Sequence, residues 1–399
     1  MPVRTFKVIP GRITKNRTVF CHRGYGNSIY NENMLSLNTP ILSFLRSTLQ
    51  GESASEEVVK SIDWKDLKVF AAKQAIVGVV YEGVKLCRQQ YPELVEKKEL
   101  MSWFYATDKK RRRFEVASQR IVELSEMFEK AGFRSCILKG QGLAQMYPVP
   151  ESRIVGDIDI WVEGTRKAIT DFVHSKTPGT FEQYHHIDFP IYKDVAVEVH
   201  YLPSQMSSPL HNRRLQNYYK SHQAKQFANV NSALGEHVCT PTKGFNAIFL
   251  LSHMMRHFFN EGIGLRQFID YYFLLKQGFS DSEKEEFYKT VGHLGMKKFA
   301  GAVMWILENV LGLDYRYLLM PPHEKAGRFL AKETLETGNF GSMDSRYTFR
   351  ERGALATALT DIYRDFLLAQ MFPSEALWKP FAKLTNQRWK LKDRLAGVK

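Results

Sequence analysis

Cysteine is scarce in this 399-residue chain, and its four copies, Cys21, Cys87, Cys136 and Cys239, lie far apart. That scatter excludes a disulfide framework and a cysteine zinc cluster, and it suits a reduced, cytoplasmic setting. No apolar run approaches the length needed to span a bilayer. Residues 1–30 contain no Asp or Glu and no apolar stretch of the kind a secretory signal needs. They are also poor in serine and lack an amphipathic period, which argues against a transit peptide. Residues 1–34 therefore read as a basic, disordered extension, with Met34 as an alternative start. No fixed-period repeat and no low-complexity linker divides the remainder. What is present, 44% hydrophobic and 13% aromatic residues, suits a packed globular body of one large or two smaller domains.

The net charge of +14 invites a nucleic-acid reading, but its distribution weakens it. Residues 1–30 carry six cations and no anion, for +6; residues 379–399 carry seven cations against Asp393, for another +6; 14 less 12 leaves +2 for everything between. Contact with nucleic acid is thus an expectation for the basic tails. The internal run Lys109 to Arg113 lies in a helical pattern, where it reads as a solvated stretch or as a contact for RNA or anionic lipid.

Periodicity predicts helices over most of 35–131, with Asp63 as an N-cap and a long stripe of Phe114, Ala117, Ile121, Leu124 and Phe128. Short strands and turns alternate through 132–240. Helices return over 241–399, with Pro241 suited to a first helical position and a basic tail at the end.

The candidate chemistry falls in the middle segment. Asp157-Ile158-Asp159-Ile160-Trp161-Val162 reads as a strand, which puts both carboxylates on one face. Two like charges side by side raise each other's pKa unless a cation separates them, and a hard divalent ion such as magnesium is the economical choice. Solvated strand ends with the same spacing are common. Upstream, Cys136-Ile137-Leu138-Lys139-Gly140-Gln141-Gly142 reads as strand, tight turn and helix start, a geometry that lets backbone approach phosphate. The helical pattern continues to Tyr147, before Pro148. This turn has neither P-loop nor dinucleotide-fold spacing. Downstream, Val197 and Val199 alternate with Glu198 and His200; the segment fits a third carboxylate of a two-metal site, or an edge strand with a wet face. His200 would orient Glu198, contact phosphate, or bond within the sheet rim. His253 and His257 share a helical face without the glutamate of a zinc-protease helix, so a structural or pocket role is expected. Arg266 and Asp270, one turn apart, read as a pair with each other or as residues positioning nucleotide. His185, His186 and Asp188 read as loop or surface residues, since magnesium prefers oxygen.

Taken in order, Leu138-Lys139-Gly140, Tyr147-Pro148, Arg153, Asp157-Ile158-Asp159 and Glu198-Val199-His200 resemble the family of uncharacterised bacterial nucleotidyltransferases, within the DNA polymerase beta-like nucleotidyltransferase superfamily. The likeness is firmest over 130–275 and extends to Asp63-Trp64, the histidine helix and Leu265-Arg266 with Asp270. It implies an α+β (mixed α/β) fold: a small mixed sheet at 132–240 flanked by N-terminal and C-terminal helical regions. It further implies that Asp157, Asp159 and Glu198 hold magnesium and act in catalysis. Lys139, Gly140, Gln141, Gly142, Arg153 and His200 would bind a nucleoside triphosphate, ATP being the expected donor. One departure stands out: the superfamily's Gly-Ser turn is Gly140-Gln141 here, and Lys139 or Arg153 would have to compensate. The implied reaction moves a nucleoside monophosphate to a hydroxyl acceptor, which could be a small molecule, a protein or RNA. The alternatives are a nucleotide-sensing or partner-binding module on the same fold, and a toxin-like enzyme acting on transfer RNA.

Overall fold

The computed structural model describes residues 39–339 and 354–382, with side chains of 354–361 excepted. The expected basic extension and most of the basic tail lie outside the described residues. The chain begins with α1 (Pro40–Gln50), where Thr39 accepts a bond from the Leu42 amide and Gly51, at φ 82°, ends the helix in the left-handed region. Next come α2 (Glu56–Ser61), α3 (Trp64–Lys73), α4 (Val77–Gln90) and α5 (Lys97–Lys130). Asp63 caps α3 as predicted, accepting from the Asp66 amide at 2.9 Å. At 34 residues, α5 is a rod of about 51 Å. It buries Ala117, Ile121, Leu124 and Phe128, the predicted stripe, with Phe114 half-buried beside them.

The sheet is small and mixed. Strands β1 (Ser135–Leu138), β2 (Ile158–Val162), β3 (His186–Asp188) and β4 (Val197–His200) stand in the order β1-β2-β4-β3. Only the β2–β4 pair is parallel, and it needs a crossover, which includes α7 (Arg166–Lys176). Between β1 and β2 lie α6 (Gly140–Ala144) and a 3-10 turn at Pro150–Ser152; the helical stretch after Gly140 thus stops three residues short of Tyr147. Two sequence expectations change. The Glu198 strand is interior rather than an edge, and the His185-His186-Asp188 segment supplies the edge strand, with both histidines buried. His186-Ile187-Asp188 does alternate, but three residues are too few for periodicity to separate strand from loop.

Helices α8 (Pro209–Gln226), α9 (Lys243–Asn260), α10 (Leu265–Lys276), α11 (Asp281–His293), α12 (Lys297–Asn309), α13 (Glu324–Thr337), α14 (Ala354–Met371) and α15 (Pro373–Ala376) complete the described chain. Helix α9 starts at Lys243, not at Pro241. Thr242 is still extended, and its amide and hydroxyl both donate to Gln226 Oε1, at 2.8 and 3.0 Å. No helix among the described residues is long and apolar enough to cross a membrane. Cys87, Cys136 and Cys239 are buried free thiols.

Two apolar cores sit on opposite faces of the sheet. One face carries Ile137, Ile158, Ile160, Ile187, Val197 and Val199 against Phe128 and α7. The other carries Cys136, Leu138 and Trp161 into a larger core that runs from Leu42 in α1 to Ala376 in α15. The polar side chains of interest emerge on this second face.

Candidate active site

Strand register builds the site. In the parallel β2–β4 pair Asp159 lies opposite Glu198, and in the antiparallel β3–β4 pair Asp188 lies opposite Glu198 and His186 opposite His200. Paired residues share a face, and so do residues two apart. Asp157, Asp159, Glu198, His200, His186 and Asp188 are therefore displayed on one side. Asp157, one residue before β2, is exposed; Asp159 and His200 are buried, and Glu198 is half-buried.

The buried carboxylate is already charge-paired. Lys139 Nζ stands 2.8 Å from Asp159 Oδ2, and His200 Nε2 stands 2.9 Å from Asp159 Oδ1. Burial alone would push the Asp159 carboxyl up, yet Lys139 and His200 outweigh it and hold it well below the usual range. Glu198 is also held low: burial opposes this, but its contact with His200, 3.6 Å from Oε2, prevails. His200 moves the other way. Burial disfavours its charge, while the bonds to Asp159 and Glu198 raise it to about 8. Asp157 has no cation in contact among the described residues, and partial desolvation by the surrounding protein, then the negative charge of Asp159, push its carboxyl up.

Lys139 reaches Asp159 from a strained backbone. Its φ of 55° and ψ of −129° are sparsely populated for any residue but glycine, at a cost of about 1–3 kcal/mol. Gly140 follows at φ 40°, and a Cβ built there would meet nothing within 4 Å, so the backbone faces open space. Gly142 is different, since a Cβ would come within 2.9 Å of Thr240 Cγ2. Gln141 is fully buried, with both amide atoms unpartnered among the described residues.

The histidines group more tightly than the sequence suggested. His185 and His186 approach at 3.1 Å, Nε2 to Nδ1, and His186 Nδ1 lies 3.5 Å from Glu198 Oε2. Adjacent histidines just ahead of an acidic strand were the only available signal. On α9, His253 Nε2 contacts Lys139 Nζ at 3.3 Å, and the His253 and His257 rings are 4.3 Å apart. Burial and then Lys139 keep His253 neutral, and burial and then Arg256 bring His257 down to about 4.

Arg153 is placed differently from the expected phosphate ligand. It is buried, and its Nε and Nη2 donate to Asp270 at 2.7 and 2.9 Å, while the Tyr147 hydroxyl donates to the same carboxylate at 2.7 Å. Asp270 is therefore paired with Arg153 rather than with Arg266, whose Nη1 donates to the Ile154 carbonyl at 3.2 Å. This trio ties α10 to the segment leading into β2. Sequence distance hid the pairing, which spans 117 residues.

Asp157 shares the face of Asp159 and Glu198 but is not part of a close ligand group with them among the described residues. Asp159, Glu198 and His200 can each bring one ligand atom within 4.8 Å of the others. Comparison with curated proteins and with solved structures gives no match. A family model described as "Uncharacterised nucleotidyltransferase" matches residues 60–312, more than half of the chain and all of the sheet. The chain therefore belongs to that uncharacterised nucleotidyltransferase family and is an enzyme of the nucleotidyl-transferring class.

Proposed function

We propose that the protein transfers a nucleoside monophosphate from a nucleoside triphosphate, with ATP as the reference donor, to a hydroxyl acceptor in the presence of magnesium. The observation that carries this reading is the in-register pairing of Asp159 with Glu198 on parallel strands, with Asp157 two residues back on the same face. Asp157, Asp159 and Glu198 would hold the ion, which when bound supplies positive charge against the triphosphate. Glu198 stays ionised near neutrality and is the proton acceptor. The acceptor oxygen attacks the α-phosphorus, its proton passes to the Glu198 carboxylate, the α–β bridging bond breaks, and pyrophosphate leaves. Lys139 and the open backbone at Gly140 face phosphate oxygens, and Gln141 and Gly142 shape that turn. His200 holds Asp159 and Glu198 in place. Such chemistry rests on positioning and charge complementarity. Arg153 supports it from behind, by fixing the approach to β2.

The acceptor lodges in a cavity of about 240 Å³ lined by Tyr184, Ser207, Asn212, Arg256, Asn260 and Glu375, among others. Asp157, Asp159, Glu198 and Lys139 do not line it, so this placement of the acceptor rests on the chemistry of the cavity walls. Its hydroxyl, amide and charged lining suits a polar small molecule, or one end of a larger one, and it is below the roughly 300–1,000 Å³ of drug-sized sites. The test is incubation of the full chain with α-labelled triphosphates, magnesium and separate pools of small molecules, protein and RNA, followed by mass spectrometry. Label should appear on an acceptor with release of pyrophosphate. Asp157→Ala should lose on the order of 10²–10³-fold or more of that rate. Binding of triphosphate without any labelled acceptor would instead mark a nucleotide sensor.

A further inference from the structure

Of the three histidines beside the carboxylates, the transfer chemistry uses only His200, as a positioning residue, yet the ring nitrogens of all three face one another. His185 Nε2 is 3.1 Å from His186 Nδ1, His186 Nδ1 is 3.5 Å from Glu198 Oε2, and Glu198 Oε2 is 3.6 Å from His200 Nε2. Four donors around a tetrahedral ion, at bonds of about 2.0–2.2 Å, stand about 3.3–3.6 Å apart. Three of the six edges of a set completed by Glu198 are near that value, and the rings are the part of it that converges as one group. One nitrogen from each of the three rings also falls within 4.8 Å of the other two.

The surroundings prepare the rings as ligands. All three histidines are buried. His200 Nδ1 lies 3.3 Å from the Leu202 carbonyl, an outer bond of the kind that orients a metal-binding histidine; Nε2 faces Asp159, Glu198 and the cluster, and an ion bound there would replace the Nε2 proton that Asp159 accepts. Asp188 Oδ1 stands 3.6 Å from His186 Nε2, which leaves Nδ1 facing Glu198. His185 Nδ1 has no partner among the described residues.

We propose that His185, His186 and His200 form a three-nitrogen site for one divalent ion of the zinc class, beside the oxygen donors Asp159 and Glu198 and separate from Asp157. Imidazole donors select zinc, cobalt or nickel over magnesium. The site goes beyond the transfer reading, because its ion is measured with no nucleotide present.

The experiment uses the full chain, stripped with chelator and then titrated with Zn²⁺ alone, or with Co²⁺ as a visible reporter. One equivalent should bind, with the absorption bands of tetrahedral cobalt. The double variant His185→Gln/His186→Gln should weaken binding by at least about 100-fold, whereas Asp157→Asn should leave it nearly unchanged. X-ray absorption of the wild-type chain holding one zinc should show imidazole scattering, a readout that needs no variant to fold. An all-oxygen shell, or equal affinity in the double variant and the wild type, would overturn the assignment. Zinc uptake without transferase activity would leave this site standing and count only against the transfer reading.

Discussion

Asp157 and Asp159 are two residues apart, but they answer differently to removal. Asp159 is buried between Lys139 and His200, so Asp159→Ala strands two cations in a poorly solvated place. It is expected to cost about 3–5 kcal/mol of stability. Asp157 is exposed and has no cation in contact among the described residues, so Asp157→Ala should change stability by no more than about 0.5 kcal/mol. Urea unfolding of the two variants checks this, and equal losses would mean that the Lys139–Asp159 pair carries no weight. Asp157→Ala is for that reason the cleaner probe of chemistry. The spacing of these two residues and the following alternation were readable from sequence, because strand geometry fixes which side chains share a face. The fate of Arg153 was not readable. A buried guanidinium declares its partner only through tertiary contact, and Asp270 lies on a helix that no local pattern connects to it.

Among elements, the approach of α4 to the 3-10 turn at Pro150–Ser152 is the tightest constraint near the site. A Cβ at Gly78 would come within 2.2 Å of the Ser152 backbone oxygen. Helix propensity alone predicts that Gly78→Ala gains up to about 1 kcal/mol. The clash is with backbone, so the expected result is a net loss of about 1–3 kcal/mol, read by thermal or urea unfolding. A stabilised Gly78→Ala variant would show that the turn yields freely. The same turn leads directly into Arg153 and the acidic strand, so α4 helps to set where that strand begins. Long helices and their caps were legible, α3 at Asp63 most plainly. The edge strand was not, because β3 is three residues long and its pairing partner is supplied by a segment eleven residues later.

At the scale of the whole molecule, the C-terminal helices return to the segment that follows β4. Glu375 in α15 is buried, and its Oε2 accepts a bond from the Ser207 amide at 2.8 Å while Oε1 lies 3.6 Å from His211 Nδ1 on α8. Arg256 on α9 lines the same cavity. Burial raises the Glu375 carboxyl to about 7, despite the opposing backbone bonds. A raised acid holds its proton longer folded than unfolded, so its contribution to stability is complete below about pH 4.5 and is lost as pH rises through 7. Between pH 5 and pH 8 the wild type should therefore lose up to about 3 kcal/mol relative to Glu375→Gln. Denaturant unfolding at both pH values checks this, and parallel profiles would exclude Glu375 as the cause.

The sheet has a consequence for how the enzyme comes to be active. Its two faces are committed to opposite natures: Val197 and Val199 are buried in one core, while Glu198 and His200 turn to the polar side. A slip of one residue between β2 and β4 would exchange these roles, driving a carboxylate into hydrocarbon and presenting valine where charge is required. Hydrophobic packing thus proofreads the reactive groups. Competence arrives all at once, with the last strand to find its neighbour, and a misaligned sheet is discarded by its own core before it can stand in for a working one.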